Sequence, residues 1–345
     1  MRRKAATTFI GIAAALSVAA TAAAEAVPAP AHTFSGSQLA QGQANWDEFV
    51  RMATGYAAGA AGTTQGTVQG PGGSSLPDLQ QLSSALSGIG PAAQAGGGSN
   101  LIGQINGREY LLWVPASYSP ARPTPLVVAY SALNNPAEAF REYSKLRESG
   151  MGREALIVYP RAIGMSWEGM PTAKTGPGED IGFVRAITAQ LQREYNVDRS
   201  RIYATGMSQG GGMAAISACH MSDIFAGVAA VSGAFYAPVN MNCANTPVAF
   251  MDIHGMADTV TPYYGGERWG APILSVQTMF VSYERRNACA GGVDRHPAGP
   301  NATRITARGC RKPVEVIQVH GGGHVWFNVP SAADEVWGFL ARQRK

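Results

Sequence analysis

The chain has 345 residues, of which 46% are hydrophobic and 14% charged, and its formal charge at pH 7 is +4. That is enough apolar material for one large core, and it excludes a largely disordered chain. The near balance of charge provides no basic field for nucleic acid or for an anionic membrane surface.

Met1-Arg2-Arg3-Lys4, the apolar stretch Ala5 to Ala20 and the small residues Thr21 to Ala26 read as a signal peptide over residues 1–26, cleaved after Ala24 or Ala26. Beyond it no apolar run reaches the roughly 18 residues that span a bilayer. The expectation is a secreted, extracellular protein with no transmembrane segment after processing. Residues 27–100 are rich in Ala, Gly, Ser and Pro and read as a linker-like extension. Ala44 to Ala61 and Leu76 to Leu86 interrupt it with helical patterns, which suit local packing or contact with a cell-envelope component.

Residues 101–345 change character, because short β-favouring runs alternate there with helical patterns. Strands are predicted at Glu109 to Val114, Pro125 to Tyr130, Ala155 to Tyr159, the run beginning at Ile202, Gly227 to Ser232, Val248 to His254 and Val314 to Val319. Helices are predicted at Asn135 to Glu148, Asp180 to Tyr195, Met213 to His220, Leu274 to Arg286 and Ser331 to Arg342. Buried strands alternating with helices imply an α/β domain: a mostly parallel sheet covered on both faces, with ligands at the carboxyl ends of its strands.

The stretch Gly206-Met207-Ser208-Gln209-Gly210 sits between a strand and a helix. A serine there stands at a strained apex with Oγ exposed, and the flanking glycines remove Cβ atoms that would collide. The Gln209 N–H at the helix start is a candidate oxyanion donor. A serine hydroxyl needs a positioned base and an acid to orient that base. His324, in Gly321-Gly322-Gly323-His324 after a strand, is the candidate base, with His320 as its rival; Asp258, shortly after the strand Val248 to His254, is the candidate acid. Asp252 falls within that strand, Asp294 lies beyond the next helix, and His254 is read as shaping a turn. Trp167 and Trp326 are candidates for an aromatic wall around the acyl group, or for packing against their own loops.

Cys219, Cys243, Cys289 and Cys310 are an even set in an oxidising compartment, and pairing of sequence neighbours, Cys219–Cys243 and Cys289–Cys310, is preferred among the three possible connectivities. No C-x-x-C pair exists, so no metal site is expected.

Gly206-Met207-Ser208-Gln209-Gly210-Gly211, Gly255-x-x-Asp258 with Pro262-Tyr263, and Gly323-His324-x-Trp326 together resemble the secreted esterases of the polyhydroxybutyrate depolymerase and feruloyl or acetylxylan esterase group of α/β-hydrolases. The resemblance spans about 101–342 and leaves the N-terminal extension uncovered. It implies an α/β-hydrolase fold, no cofactor, hydrolysis of carboxylic esters that include polymeric ones, and Ser208, Asp258 and His324 as nucleophile, acid and base. Where the family carries Leu-His-Gly before its second oxyanion donor, this chain has Tyr130-Ser131-Ala132-Leu133, which makes the Leu133 N–H the candidate donor on an altered loop. An acyltransferase would use the same triad. A catalytically weak envelope-binding protein draws its one support from the altered loop, and the intact triad argues against it.

Overall fold

The structure, a computed structural model, describes residues 98–345 apart from Pro238. The signal peptide and the helical patterns at 44–61 and 76–86 lie outside the described residues.

The described chain builds a ten-stranded sheet in the order β1-β2-β4-β3-β5-β6-β7-β12-β11-β10. Its centre is parallel: β4 (Leu156–Pro160), β3 (Thr124–Tyr130), β5 (Val197–Met207), β6 (Gly227–Val231), β7 (Ala249–Gly255) and β12 (Val314–Val319). β3, β4, β6 and β7 are buried at every position, as continuous apolar runs are when helices cover both faces. Antiparallel strands close the two ends, with β1 (Ser99–Ile105) and β2 (Arg108–Val114) at one and β10 (Val293–Pro297) and β11 (Ala302–Ala307) at the other.

Successive residues of a strand face opposite sides, and the sheet therefore divides the core in two. Leu126, Val128 and Tyr130 of β3 join one cluster with Phe183, Ile187 and Leu191 of α3 (Glu179–Glu194), Met213 of α4 (Gln209–His220) and Met279 of α5 (Val276–Arg286). Val127 and Ala129 join the other, with Phe140 of α1 (Ala137–Tyr143), Met151 of α2 (Gly150–Glu154) and Trp337 of α6 (Ala332–Leu340). This is the doubly covered, mostly parallel α/β sheet expected from the alternating pattern, and it agrees with the α/β-hydrolase fold that the resemblance implies.

Some elements depart from the sequence reading. The helix expected at 135–148 is shorter: α1 ends at Tyr143, before Lys145, which has φ +55° and cannot continue a right-handed helix, and α2 follows beyond the expected span. The β1–β2 hairpin turns at Asn106-Gly107, both with positive φ, and was not anticipated. Nor was the small hairpin β8 (Gly266–Arg268) and β9 (Ala271–Ile273) that follows β7, nor the pair β10 and β11. Disulfides join Cys219 to Cys243 and Cys289 to Cys310, the connectivity preferred from the sequence. Among the described residues no helix is long and apolar enough to cross a membrane.

Candidate active site

β5, β6, β7 and β12 are consecutive neighbours in the sheet, and the loops at their carboxyl ends carry Ser208, Ser232, Asp258 and His324. Ser208 lies between β5 and α4 with φ +54° and ψ −120°, a strained conformation for a residue bearing a Cβ. The strain is held by backbone bonds: Ser208 N donates to Val231 O at 3.0 Å, and Ser208 O accepts from Ala234 N at 2.8 Å. The glycines on either side are required by space. A Cβ on Gly206 would stand 2.4 Å from the Gly210 carbonyl, and one on Gly210 would stand 2.1 Å from Tyr130 O.

The residue after Ser208 is fixed through its side chain. Gln209 Nε2 donates to Thr172 Oγ1 at 2.8 Å, Ser166 Oγ donates to Gln209 Oε1 at 2.9 Å, and the two hydroxyls are 2.8 Å apart. With Thr172 donating to Ser166 the three side chains close a ring in which each donates one hydrogen and accepts one. The Gln209 N–H is the first of its helix and has no intrahelical acceptor. Asn134 N donates to Met165 O at 3.0 Å, so the segment bearing Ser166 also braces the loop that contains Leu133. Among the described residues no backbone carbonyl accepts from the N–H of Leu133 or Gln209.

Asp258 and His324 are brought together. His324 Nδ1 is 2.7 Å from Asp258 Oδ2, and both side chains are fully buried. Asp258 Oδ1 accepts from Val260 N at 2.8 Å and Thr261 N at 2.9 Å, an Asx turn that aims the carboxylate. Thr261 Oγ1 lies 3.0 Å from Asp258 Oδ2 and 3.2 Å from Ser232 O, both of them acceptors for its hydroxyl, and 3.1 Å from His324 Nδ1. Burial pushes the Asp258 carboxyl up, but the facing imidazoles of His324 and His254 outweigh it and hold it well below the usual carboxylate range. The glycine-rich loop bearing His324 is tied to the acid loop by Ala257 N donating to Gly322 O at 2.9 Å, and to β6 by Ser232 Oγ donating to Val325 O at 3.0 Å.

The other sequence candidates separate. His320 is at the surface, 2.9 Å from Thr303 Oγ1, and Asp294 pairs with Arg308 on the exposed edge. His254 is buried between Asp252 and Thr261 O rather than in a turn. Trp167 and Trp326 do not form one wall, because they belong to the core clusters on opposite faces of the sheet. Trp167 donates from Nε1 to Ser131 O at 2.8 Å and meets Tyr130 edge-on, while Trp326 meets Phe140 edge-on. Their size and indole N–H suit bracing of loops from within. An aromatic residue that does reach the surface is Trp269, 49% exposed at the tip of the β8–β9 hairpin. Sequence reading missed it, together with Thr261, Ser166 and Thr172. A two-residue Trp-Gly turn was the available signal for Trp269; lone hydroxyls carry none.

A family model described as Phospholipase/Carboxylesterase matches residues 182–284. Over 255 residues the chain is 30% identical to feruloyl esterase C of Emericella nidulans, covering 70% of this chain and 87% of that enzyme. The chain belongs to the α/β-hydrolase esterases, in the group of the feruloyl esterases. This esterase is also 27% identical to feruloyl esterase D of Neurospora crassa over 76% of its own length and 96% of the relative's. Among solved structures, an acetyl xylan esterase from Aspergillus awamori superimposes with a TM-score of 0.52 at 16% identity, covering 71% of this chain and 99% of that one. It shares the fold. As a member of this family the esterase is a hydrolase of carboxylic esters.

Proposed function

We propose that this esterase cleaves feruloyl or acetyl esters carried on polysaccharide, by serine acyl-enzyme chemistry. Ser208 Oγ attacks the ester carbonyl while His324 takes its proton through Nε2, and Asp258 holds the Nδ1–H and faces the imidazolium that forms. The N–H groups of Gln209 and Leu133 receive the developing oxyanion. Collapse of the tetrahedral intermediate expels the alcohol, which leaves with the proton from His324. Water, deprotonated by the same imidazole, then releases the acid and restores the serine.

The observation that carries this reading is the buried 2.7 Å contact between Asp258 Oδ2 and His324 Nδ1 on the loops beside the strained Ser208. The relatives named above support the substrate class. Exposed Ile163 and Met165 after β4, and Tyr264 and Trp269 after β7, would give an aromatic or apolar acyl group a surface to rest on. Export, with removal of residues 1–26 and a catalytic domain over 101–345, fits the two disulfides, which persist in oxidising compartments.

The test is hydrolysis of methyl ferulate, p-nitrophenyl acetate and a polyhydroxybutyrate film by the mature protein and by Ser208→Ala. The expected outcome is release of ferulate and acetate, reduced by about 10⁴-fold or more in the variant. Hydrolysis that survives Ser208→Ala would refute the mechanism. Degradation of the film without release of ferulate would replace the substrate class by a polyester.

A further inference from the structure

His254 takes no part in the triad proposed above, yet its ring is enclosed by groups that fix its protonation. Nε2 is 2.8 Å from Thr261 O, a carbonyl that can only accept, so Nε2 carries a hydrogen. Nδ1 is 3.0 Å from Asp252 Oδ2, and a ring nitrogen meets a carboxyl oxygen at that distance only with a proton between them. The proton makes the ring an imidazolium if it belongs to Nδ1, or leaves it neutral if it belongs to Asp252. A second carboxylate decides between these, since Asp258 Oδ2 lies 3.4 Å from Nε2. One ring stands between two acids in a site sealed from water, where an unbalanced charge is costly.

We propose that His254 is a positioning residue for Asp258: a buried imidazolium, paired with Asp252, that keeps the Asp258 carboxylate anionic and aimed at His324. The inference rests on the triad reading above. Asp258 Oδ2 faces His324 at 2.7 Å and lies 3.4 Å from His254 Nε2, so one carboxylate oxygen is shared by two imidazoles. His254 also holds the Thr261 carbonyl, while the N–H of the same residue donates to Asp258 Oδ1. The remaining neighbours carry no opposing charge at neutral pH. Tyr263 meets the His254 ring edge-on with centroids 5.9 Å apart, and Gln318, across from His254 on β12, donates its amide to the Tyr263 hydroxyl. Asp252 Oδ1 has no hydrogen-bond partner among the described residues, which leaves His254 as the side-chain partner of that carboxyl group.

A neutral histidine that only shapes the strand end would behave differently, and two measurements separate the cases. The first uses wild-type protein labelled with ¹⁵N-histidine, with the His254 signals assigned by their loss in His254→Gln. Both ring nitrogens are expected to be protonated at pH 8; a single protonated nitrogen would overturn the proposal whether or not any variant folds. The second compares His254→Gln, whose amide can still reach the Thr261 carbonyl, with Asp252→Asn, which lets the ring stay neutral at unchanged size. In both, kcat is expected to fall about tenfold with KM nearly unchanged. The acidic limb of kcat/KM, which reports the Asp258–His324 couple, moves to higher pH. Wild-type kcat and an unmoved limb in folded His254→Gln would overturn the proposal. Ser208→Ala runs alongside: its survival as an active enzyme would remove the triad reading, whereas an inactive Ser208→Ala beside an unaffected His254→Gln would remove only the positioning role.

Discussion

The loop after β5 and the loop after β7 leave the same end of the parallel sheet, and they are held in opposite ways. Around Ser208 the work is done by backbone shape and neutral dipoles. Two glycines leave room for carbonyls that approach to 2.1 Å and 2.4 Å of where a Cβ would be, and the Gln209, Ser166 and Thr172 side chains form a ring with no net charge. Around Asp258 the work is done by charge. Two carboxylates and two imidazoles are packed into a buried chain, Asp252–His254–Asp258–His324. The proposed mechanism needs Ser208 set in place without being ionised beforehand, which neutral bonds allow. It needs Asp258 ionised while buried, which opposite charge achieves together with hydrogen bonds to the carboxylate.

The largest predicted effect breaks the charged side. Asp258→Asn keeps the shape of the side chain but presents an amide that can impose the wrong tautomer on His324, so kcat is expected to fall about 10⁴-fold. Far-UV circular dichroism and thermal melting would show the protein folded. A fall of less than about tenfold would mean that His324 is oriented by something other than Asp258.

The next sharpens the comparison through stability. Burial acts to lower the His254 pKa, but the charge and hydrogen bonding of Asp252 and Asp258 prevail and raise it from an ordinary 6.5 to about 10. A raised pKa means that the native state binds a proton the unfolded chain releases. The stabilisation is therefore complete below about 6.5 and is lost as pH climbs through about 10. In that window urea unfolding of the wild type should lose up to about 1.4 kcal/mol per pH unit. Asp258 acts at the other end: its lowered pKa contributes stability above the ordinary carboxylate range that fades under strongly acid conditions. In His254→Gln the slope between neutral pH and pH 9 should flatten. An equal slope in the variant would place the alkaline loss in groups other than His254.

The two sides also differed in how far the sequence disclosed them. The central sheet was legible because its strands are uninterrupted apolar runs set between amphipathic helices, as in Leu156–Pro160 followed by Glu179–Glu194. The edge strands were not: Val293–Pro297 is mostly exposed and shows no alternation, so periodicity could not mark it. Ser208, Asp258 and His324 could be nominated because glycine spacing and position after a strand are written in the chain. Thr261 and Thr172 could not, because a threonine is common and its partners come from loops that only folding brings near. The two tryptophans stood between two readings for a related reason. Size and aromaticity suit an open wall and a core equally, and which one applies depends on the face of the sheet.

The smallest effect probes the neutral ring. Thr172→Val preserves volume and branching but removes the hydroxyl that accepts from Gln209 Nε2 at 2.8 Å and lies 2.8 Å from Ser166 Oγ. The cost in stability should be about 1 kcal/mol, since Thr172 is only partly buried and water can replace it. Catalysis should suffer in a particular way. Deleting an oxyanion donor outright costs about 10²–10³ in kcat, whereas here the Gln209 N–H remains and loses only one restraint on its direction. We expect kcat to fall about tenfold or less, with KM unchanged and no movement of the pH profile, because no titrating group has been touched. That last feature sets it apart from His254→Gln. If Thr172→Val shifted the acidic limb, the two loops would share one electrostatic unit, and the division between a side held by dipoles and a side held by charge would fail.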